Sequence, residues 1–302
     1  MLFPGNNDYV GRHAGDIDHR RSRLQFLLPL LAILLALFLL MWPVLETYML
    51  EVEETTLYAA DFPRDIGQLR IVYLADIHKG GLYTDGRVAS LVSRINALSP
   101  DLVLLGGDYA QDSAGAVEFF RSLPRIHARY GVFAVPGNHD RTVPESNLNQ
   151  LRAAMQEASV TPLINTVSLV RVGNANIYIA GLDDVNCGHP DLTHVASQVR
   201  KGDYVILLCH SPAIVPQALS ARDADFQLNW FDLGLFGHTH GGQVSLFGGL
   251  IQDETVKDAY FSGWTRVNRI DLLTTRGVGT SVLPIRLFCR PQIHLITLKP
   301  VS

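Results

Sequence analysis

Cysteine, lysine and net charge are all scarce in this chain of 302 residues. Its three cysteines, Cys187, Cys209 and Cys289, lie far apart and form no C-x-x-C pair. That spacing excludes a disulfide framework and a structural zinc ribbon. Lysine supplies only 4 of the 25 basic residues, a bias we read as base composition, not function. The net charge is −4 with no polybasic stretch, so a nucleic-acid footprint is not supported. Charged residues make up 18% against 47% hydrophobic, which excludes intrinsic disorder. No repeat of solenoid period and no low-complexity tract occurs. There is no G-x-S-x-G elbow to supply a serine nucleophile. The length allows one large domain or two small ones, with ample capacity for a core.

Apolar residues are concentrated near the start. Leu24 to Leu45 carries no charge, and about 20 apolar residues cross a bilayer core of ~30 Å. A cleaved signal peptide has a shorter apolar region, of roughly 7–15 residues, ended by a small-x-small site. This run is longer and ends in Met41-Trp42-Pro43 without such a site, so 24–45 reads as an uncleaved transmembrane anchor. Trp42 and Tyr48 fit an interfacial aromatic belt. Arg12, Arg20, Arg21 and Arg23 precede the span, whereas 46–60 has four glutamates and no Lys or Arg. The positive-inside rule then puts the N-terminus in the cytoplasm and the rest of the chain outside, at the inner membrane. Arg20-Arg21 also resembles a twin-arginine export signal, though Ser22-Arg23 matches it poorly. The polar tail 1–23 is expected to be disordered over its first twenty residues, 46–60 to be a linker or first strand, and 61–302 to be one domain.

Within that domain, apolar runs alternate with helical periodicity. Arg70–Asp76, Asp101–Asp108, Gly131–Asp140, Tyr204–His210, Asp232–His238 and Ile293–Leu298 read as strands. Val88, Leu91, Val92, Ile95 and Leu98 carry helical spacing closed by Pro100; 116–126 and 147–158 are also predicted helical. Gly173-Asn174 between two apolar runs predicts a hairpin. The result is an α/β layered architecture.

The chemistry stands at the strand ends. Asp76 and His78 follow the first strand, Asp108 the second, and Asn138, His139 and Asp140 the third. His210 ends a later strand, and His238 and His240 end another. In open α/β sheets, ligands bind beyond the carboxyl ends of strands, so these residues can converge. Carboxylates mixed with imidazoles and no thiolate suit Mn²⁺, Fe or Zn²⁺. There are more candidate ligands than one ion needs, and Asp108 is the central candidate for bridging two. Each piece alone is weak, since D-x-H and G-N-H are common turn sequences. The ordered series D-I-H, G-G-D-Y, G-N-H-D, strand-end His, G-H-T-H-G-G-Q is not. Two cations ~3.5–4 Å apart can clamp the attacking and leaving oxygens of an in-line displacement. A water between them would lose its proton near neutral pH.

Across residues 60–302 the sequence resembles the calcineurin-like metallophosphoesterases, and among them the membrane-associated or exported bacterial branch. LRIVYLADIH, LFGHTHGGQV and TTRGVGTSVLPIRLFCRPQI carry the likeness. The resemblance implies a β-sandwich of two mixed sheets flanked by helices, with the site at its rim. It implies one metal held by Asp76, His78, Asp108 and His240, and a second held by Asp108, Asn138, His210 and His238. His139 would contact the phosphate and assist the leaving group, and Asp140 would orient His139. The implied activity is phosphodiester hydrolysis by a hydroxide bridging two divalent ions. An alternative is a pyrophosphatase acting on a lipid-linked substrate such as UDP-2,3-diacylglucosamine, which would call for a cytoplasmic domain. A further alternative is a metal-stabilised, non-catalytic binding module tethered to the membrane. The partners expected are a phosphate ester, lipid- or envelope-linked, and the bilayer; no motif sets an oligomeric state.

Lys79, where an apolar residue is expected, could face phosphate or solvent. His13, His19, His127, His189, His194 and His294 lie outside the motifs. Cys209 reads as a core residue and Asp183-Asp184 as loop-shaping. Arg276, Arg286 and Arg290 read as ion-pair formers. Phe247, Leu250 and Trp264 are candidates for lipid contact at the site mouth.

Overall fold

The computed structural model describes residues 11–141, 146–245 and 253–301, with side chains of the first helix described from Leu27 onward. The beginning of the polar tail, the side chains of His13 and His19, and both Phe247 and Leu250 lie outside the described residues. The chain divides after Leu45 into two units.

The first unit holds helix α1, Gly11–Glu46. Its Leu27–Glu46 portion is long and apolar enough to cross a membrane. The helix begins at Gly11, so the disorder expected for the first twenty residues is corrected from that point on. Once a long apolar helix is nucleated, extending it costs little per residue.

The second unit contains two six-stranded sheets. In chain order its elements are β1 (Glu51–Ala59), β2 (Leu69–Leu74), α2 (Asp85–Ala97), β3 (Leu102–Leu105), α3 (Ser113–Ser122), β4 (Val132–Ala134) and α4 (Ser146–Glu157). Next come β5 (Thr161–Pro162), β6 (Thr166–Val172), β7 (Ala175–Gly181), α5 (Leu192–Ala196), β8 (Tyr204–Leu208) and α6 (Val215–Ser220). The last are β9 (Leu233–Phe236), β10 (Gly263–Val267), β11 (Ile270–Thr274) and β12 (Gln292–Pro300). One sheet runs β1-β12-β2-β3-β4-β5 and the other β10-β11-β9-β8-β7-β6.

Strands β2 to β5 are parallel, as are β7, β8, β9 and β11. Parallel strands covered on both faces read as continuous apolar runs, and β2 shows why. Ile71 and Tyr73 face the other sheet, packing with Ile206, Leu208 and Leu235. Val72 and Leu74 face outward onto Val88, Leu91 and Ile95 of α2 and Phe119 and Phe120 of α3. The second sheet packs Val205, Leu207 and Leu272 outward against Val195, Val199, Val215 and Ala218. The layers are therefore helix, sheet, sheet, helix, the mixed-sheet sandwich expected.

Local departures have local causes. Helix α3 stops at Ser122, short of the expected 126, because Leu123 precedes Pro124 and takes an extended conformation. Its start is fixed by Asp112, whose carboxylate accepts the Gly115 N–H at 2.7 Å. The stretch 46–60 supplies β1, which pairs in parallel with β12. The β10–β11 hairpin was not expected. Its turn, Asn268-Arg269, has positive φ at both positions, the backbone of a tight hairpin without the glycine that announces one.

Candidate metal centre

The carboxyl ends of β2, β3 and β4 and of β8 and β9 open onto one rim, and every residue expected in the metal site stands there. Among the described residues, Asp76, His78 and His240 can meet at one ion, and so can Asp76, Asp108 and His210. The Nε2 atoms of His78 and His240 face each other at 3.0 Å. Asp108 Oδ2 lies 3.2 Å from His210 Nε2 and 3.5 Å from His78 Nε2, so its carboxylate stands between the two groups. Asp76 Oδ1 lies 3.5 Å from His240 Nε2. On the other side, His238 Nδ1 and Asn138 Oδ1 converge at 2.9 Å. Asp76, His78, Asp108, His238 and His240 all adopt φ between 48° and 71°. Such conformations cost about 1–3 kcal/mol each for non-glycine residues and persist where the surroundings over-determine them.

Glycine permits the closest approach. A Cβ on Gly137 would sit 2.2 Å from Asp108 Oδ1 and 2.7 Å from the Asp108 amide nitrogen. Only a bare backbone lets the Asn138 loop lie against Asp108.

The donor set fits divalent cations. His210 donates from Nδ1 to the Gly106 carbonyl at 2.8 Å, which leaves its Nε2 unprotonated when the ring is neutral. That Nε2 is buried and has no hydrogen-bond partner. Left without cations, the carboxylates distort one another. Burial pushes Asp76 up to about 7, opposed by His210 and assisted by Asp108. Asp108 is also penalised by burial, but His210, His78 and His139 together draw it below the ordinary carboxylate range. Burial lowers His78 to about 4 and holds His240 well below the ordinary range. His78 and His240 are thereby held neutral, as metal binding requires, whereas at His210 burial is outweighed by Asp108 and Asp76, which raise it well above the ordinary range.

His139 is half-buried and stands edge-on to the His78 ring, with centroids 4.8 Å apart. Its backbone N–H donates to Asp108 Oδ1 at 2.9 Å, and its Nδ1 lies 2.9 Å from the Gln111 carbonyl. Asp140 was expected to orient His139. Its carboxylate accepts from three backbone amides instead, those of Asp108 (2.7 Å), Gly137 (2.8 Å) and Tyr109 (3.0 Å). Three convergent donors on two adjoining loops outcompete one ring nitrogen. Asp140 therefore ties the Asp108 loop to the Asn138 loop, and Gln111 positions the His139 ring.

Other residues resolve similarly. Lys79 Nζ contacts Asp85 at 2.6 Å and Ser122 Oγ at 3.0 Å, an ion pair on the α2–α3 side. Asp183 takes the Arg141 guanidinium through both oxygens (2.9 and 3.0 Å), and Asp184 accepts the N–H groups of Asn186 and Cys187. Both aspartates shape the 183–189 loop. Arg276 and Arg290 pair with Glu51 at 3.1 and 3.0 Å. Arg286 does not form the expected ion pair. It is fully buried and donates to the carbonyls of Gly279, Cys289 and Arg276, with Nη2 3.4 Å from His240 Nδ1. Trp264 is half-buried, packed against the core between the sheets.

Sequence reasoning missed Asp253, whose Oδ2 lies 3.0 Å from His238 Nε2. A carboxylate behind a metal-ligating imidazole fixes its tautomer and orientation. It also missed Gln111 and Gln243. Gln243 is completely buried and binds the backbone of Ser281 and Leu283. No strand end or motif spacing marks Asp253 or Gln111; Gln243 closes the G-H-T-H-G-G-Q run but signals no role there.

The rim of carboxylates and imidazoles between two mixed sheets, taken with its relatives, makes this chain a metal-dependent phosphoester hydrolase. The chain belongs to the calcineurin-like phosphoesterases, whose family pattern matches residues 69–242. It is 28% identical over 264 residues to the uncharacterized metallophosphoesterase YkuE of Bacillus subtilis, covering 85% of this chain and 88% of that one. It is 31% identical over 252 residues to the phosphodiesterase YaeI of Escherichia coli, covering 79% and 85%. A Bos taurus transmembrane protein with metallophosphoesterase domain is 27% identical over 252 residues, covering 78% and 54%.

Proposed function

We propose that this protein is a membrane-anchored phosphodiesterase using two divalent cations, drawn from Mn²⁺, Fe and Zn²⁺. Asp76, His78, Asp108 and His240 would hold one, and Asp108, Asn138, His210 and His238 the other. The observation that carries this is Asp108, whose one carboxylate oxygen faces His78 and His210 from opposite groups. Bound cations supply Lewis acidity toward the phosphoryl oxygens and acidify water. The chain's own residues do the positioning. Asp140 holds the Asp108 and Asn138 loops in register. Asp76 accepts the His238 N–H at 3.0 Å, linking the two sheets. Nδ1–H of His139 donates to the Gln111 carbonyl, so it is the imidazolium form that would bind phosphate through Nε2–H and deliver that proton to the leaving oxygen, leaving the ring neutral.

The anchor would be Leu27–Glu46. The arginines ahead of it and the lack of basic residues in 46–60 support a domain outside the cytoplasm. The names of the Escherichia coli and Bos taurus relatives accord with a diesterase and with membrane attachment. The test is hydrolysis of bis(p-nitrophenyl) phosphate by the full chain in detergent with Mn²⁺. Asp108→Ala should abolish activity and lower the bound metal. His139→Ala should keep the metal while lowering kcat roughly 10²–10⁴-fold, the usual worth of a positioned general acid. Undiminished hydrolysis by Asp108→Ala would sink the reading. A wild type that binds Mn²⁺ but leaves the diester intact would turn it toward the lipid pyrophosphate or the binding module.

A further inference from the structure

The segment between β11 and β12 has two unlike sides. Its buried side serves the metal centre. Arg286 reaches His240, Cys289 Sγ lies 3.2 Å from the His240 carbonyl, and Gln243 clamps Ser281 and Leu283. Its other side is apolar and bare. Val282 is 80% exposed, Phe288 67% and Leu283 46%. Val282 and Phe288 also hold φ of 62° and 54°, a region unfavourable to β-branched and bulky residues. The fold thus maintains, against backbone preference, a loop that turns its large apolar side chains to the outside.

The location of this loop identifies what it meets. Glu46, the last residue of the candidate span, is itself buried, and its carboxylate accepts the N–H of Phe288 at 3.1 Å and of Cys289 at 2.7 Å. A bilayer crossed by Leu27–Glu46 has its boundary at the residue to which this loop is hydrogen-bonded. Beside it a cleft of about 280 Å³ is lined by Tyr48, Leu50, Tyr83, Arg87, Ser90 and Arg94. The Arg87 guanidinium lies 4.3 Å from the Tyr48 ring and 4.4 Å from the Tyr83 ring and donates to the carbonyls of Leu82 and Thr47, whereas Arg94 is exposed. The nearby acids are already engaged, Glu46 by backbone amides and Glu51 by Arg276 and Arg290. The cleft is left cationic and aromatic, complementary to a phosphate headgroup.

We propose that 282–288 is a membrane-contacting loop. Its apolar side chains enter the bilayer interface while Arg94, at the mouth of the cleft whose wall Arg87 holds, takes an anionic phospholipid headgroup. The inference rests on the anchor reading above. It deepens that reading by assigning the substrate to phosphoesters borne at a lipid surface, since the loop that meets lipid also holds His240.

The test uses the full chain in phosphatidylcholine vesicles, with and without phosphatidylglycerol and with spin-labelled lipid as quencher. In a Cys187→Ser background, Val282→Cys, Phe288→Cys, Phe226→Cys and Leu34→Cys each carry a fluorescent probe. Cys209 and Cys289 are buried and Cys187 is the exposed thiol. Phe226 is 77% exposed near the starts of β8 and β9, the edge opposite the metal centre. Probes at 282 and 288 should be quenched at least about two-fold more than the probe at 226, as an interfacial apolar face sinks ~5–10 Å into the headgroup boundary. Phosphatidylglycerol should increase that quenching, and Arg94→Gln should remove the increase. Quenching at 34 but only background at 282 and 288 would overturn the loop while leaving the anchor. Quenching at 282 and 288 without 34 would remove the anchor and keep the loop. Background at all positions would overturn both. Absence of a phosphatidylglycerol effect would overturn the headgroup site. None of these readouts depends on hydrolysis, so a failure of the phosphodiesterase reading is seen separately, in the diester assay.

Discussion

Replacing Asp140 by Asn tests whether this carboxylate acts on backbone or on the His139 ring. The side chain is buried and accepts three amide N–H groups, two at Oδ2 and one at Oδ1. The best Asn rotamer keeps its carbonyl oxygen on the Asp108 and Gly137 amides. Its NH₂ group then faces the Tyr109 N–H, so a donor meets a donor. Two buried polar groups lose partners, at about 1–3 kcal/mol each, for a total of about 2–6 kcal/mol. At roughly 2–4 °C per kcal/mol for a domain of this size, Tm should fall by about 4–24 °C. The assay is thermal unfolding of the full chain in detergent, beside its metal content. Because the loops of Asp108 and Asn138 separate, metal retention should fall with Tm. The reasoning fails if Tm and metal content stay at wild-type values while kcat drops and its pH profile shifts. That pattern would return Asp140 to the His139 ring.

Two further outcomes follow from the same geometry. Asp253→Ala releases His238 Nε2, and loss of such a partner costs about 10–100-fold in metal affinity; titration calorimetry showing an unchanged Kd would contradict this. His294 is buried in β12, bonded to Gln292 and Thr275, and burial lowers it to about 3. An unfolded histidine titrates near 6.5, so between 6.5 and 3 the unfolded chain binds the extra proton. The stability from the neutral ring is complete above 6.5 and falls with pH by about 1.4 kcal/mol per unit. Urea unfolding at pH 7 and pH 4.5 should show a shallower acid loss for His294→Gln than for wild type, and parallel losses would rule the assignment out.

Much of the centre was legible because each ligand ends an apolar run. Asp76 and His210 stand two residues past the ends of β2 and β8 and Asp108 three past β3, and parallel strands deliver their ends to one edge. The motif spacing needed no knowledge of loop paths. Asp253, Gln111 and Arg286 were illegible for the opposite reason. Each acts from a loop without periodicity, on a partner brought near only by tertiary folding. Arg286 illustrates the cost of reading charge alone. An arginine in a polar segment suggests an ion pair, yet here backbone carbonyls surround it, and nothing in a sequence announces a cage of carbonyls. At Trp264, aromatic exposure cannot be told from aromatic packing by position. Val282 and Phe288 were not singled out because they sit in an apolar-rich stretch, VLPIRLFC, whose exposed and buried members follow no period.

The proposed ligands come from both sheets, and a cation they held would brace the sandwich. Asp76 follows β2 of one sheet, while His238 and His240, more than half the chain away, follow β9 of the other. A cation held by such a set binds only when the sheets are docked and their rims aligned. By mass action, whatever binds the docked form alone raises the free energy of parting the sheets. Metal loading is then a closing act of assembly, and a chain whose sandwich has slipped by one strand would carry every ligand and still remain empty.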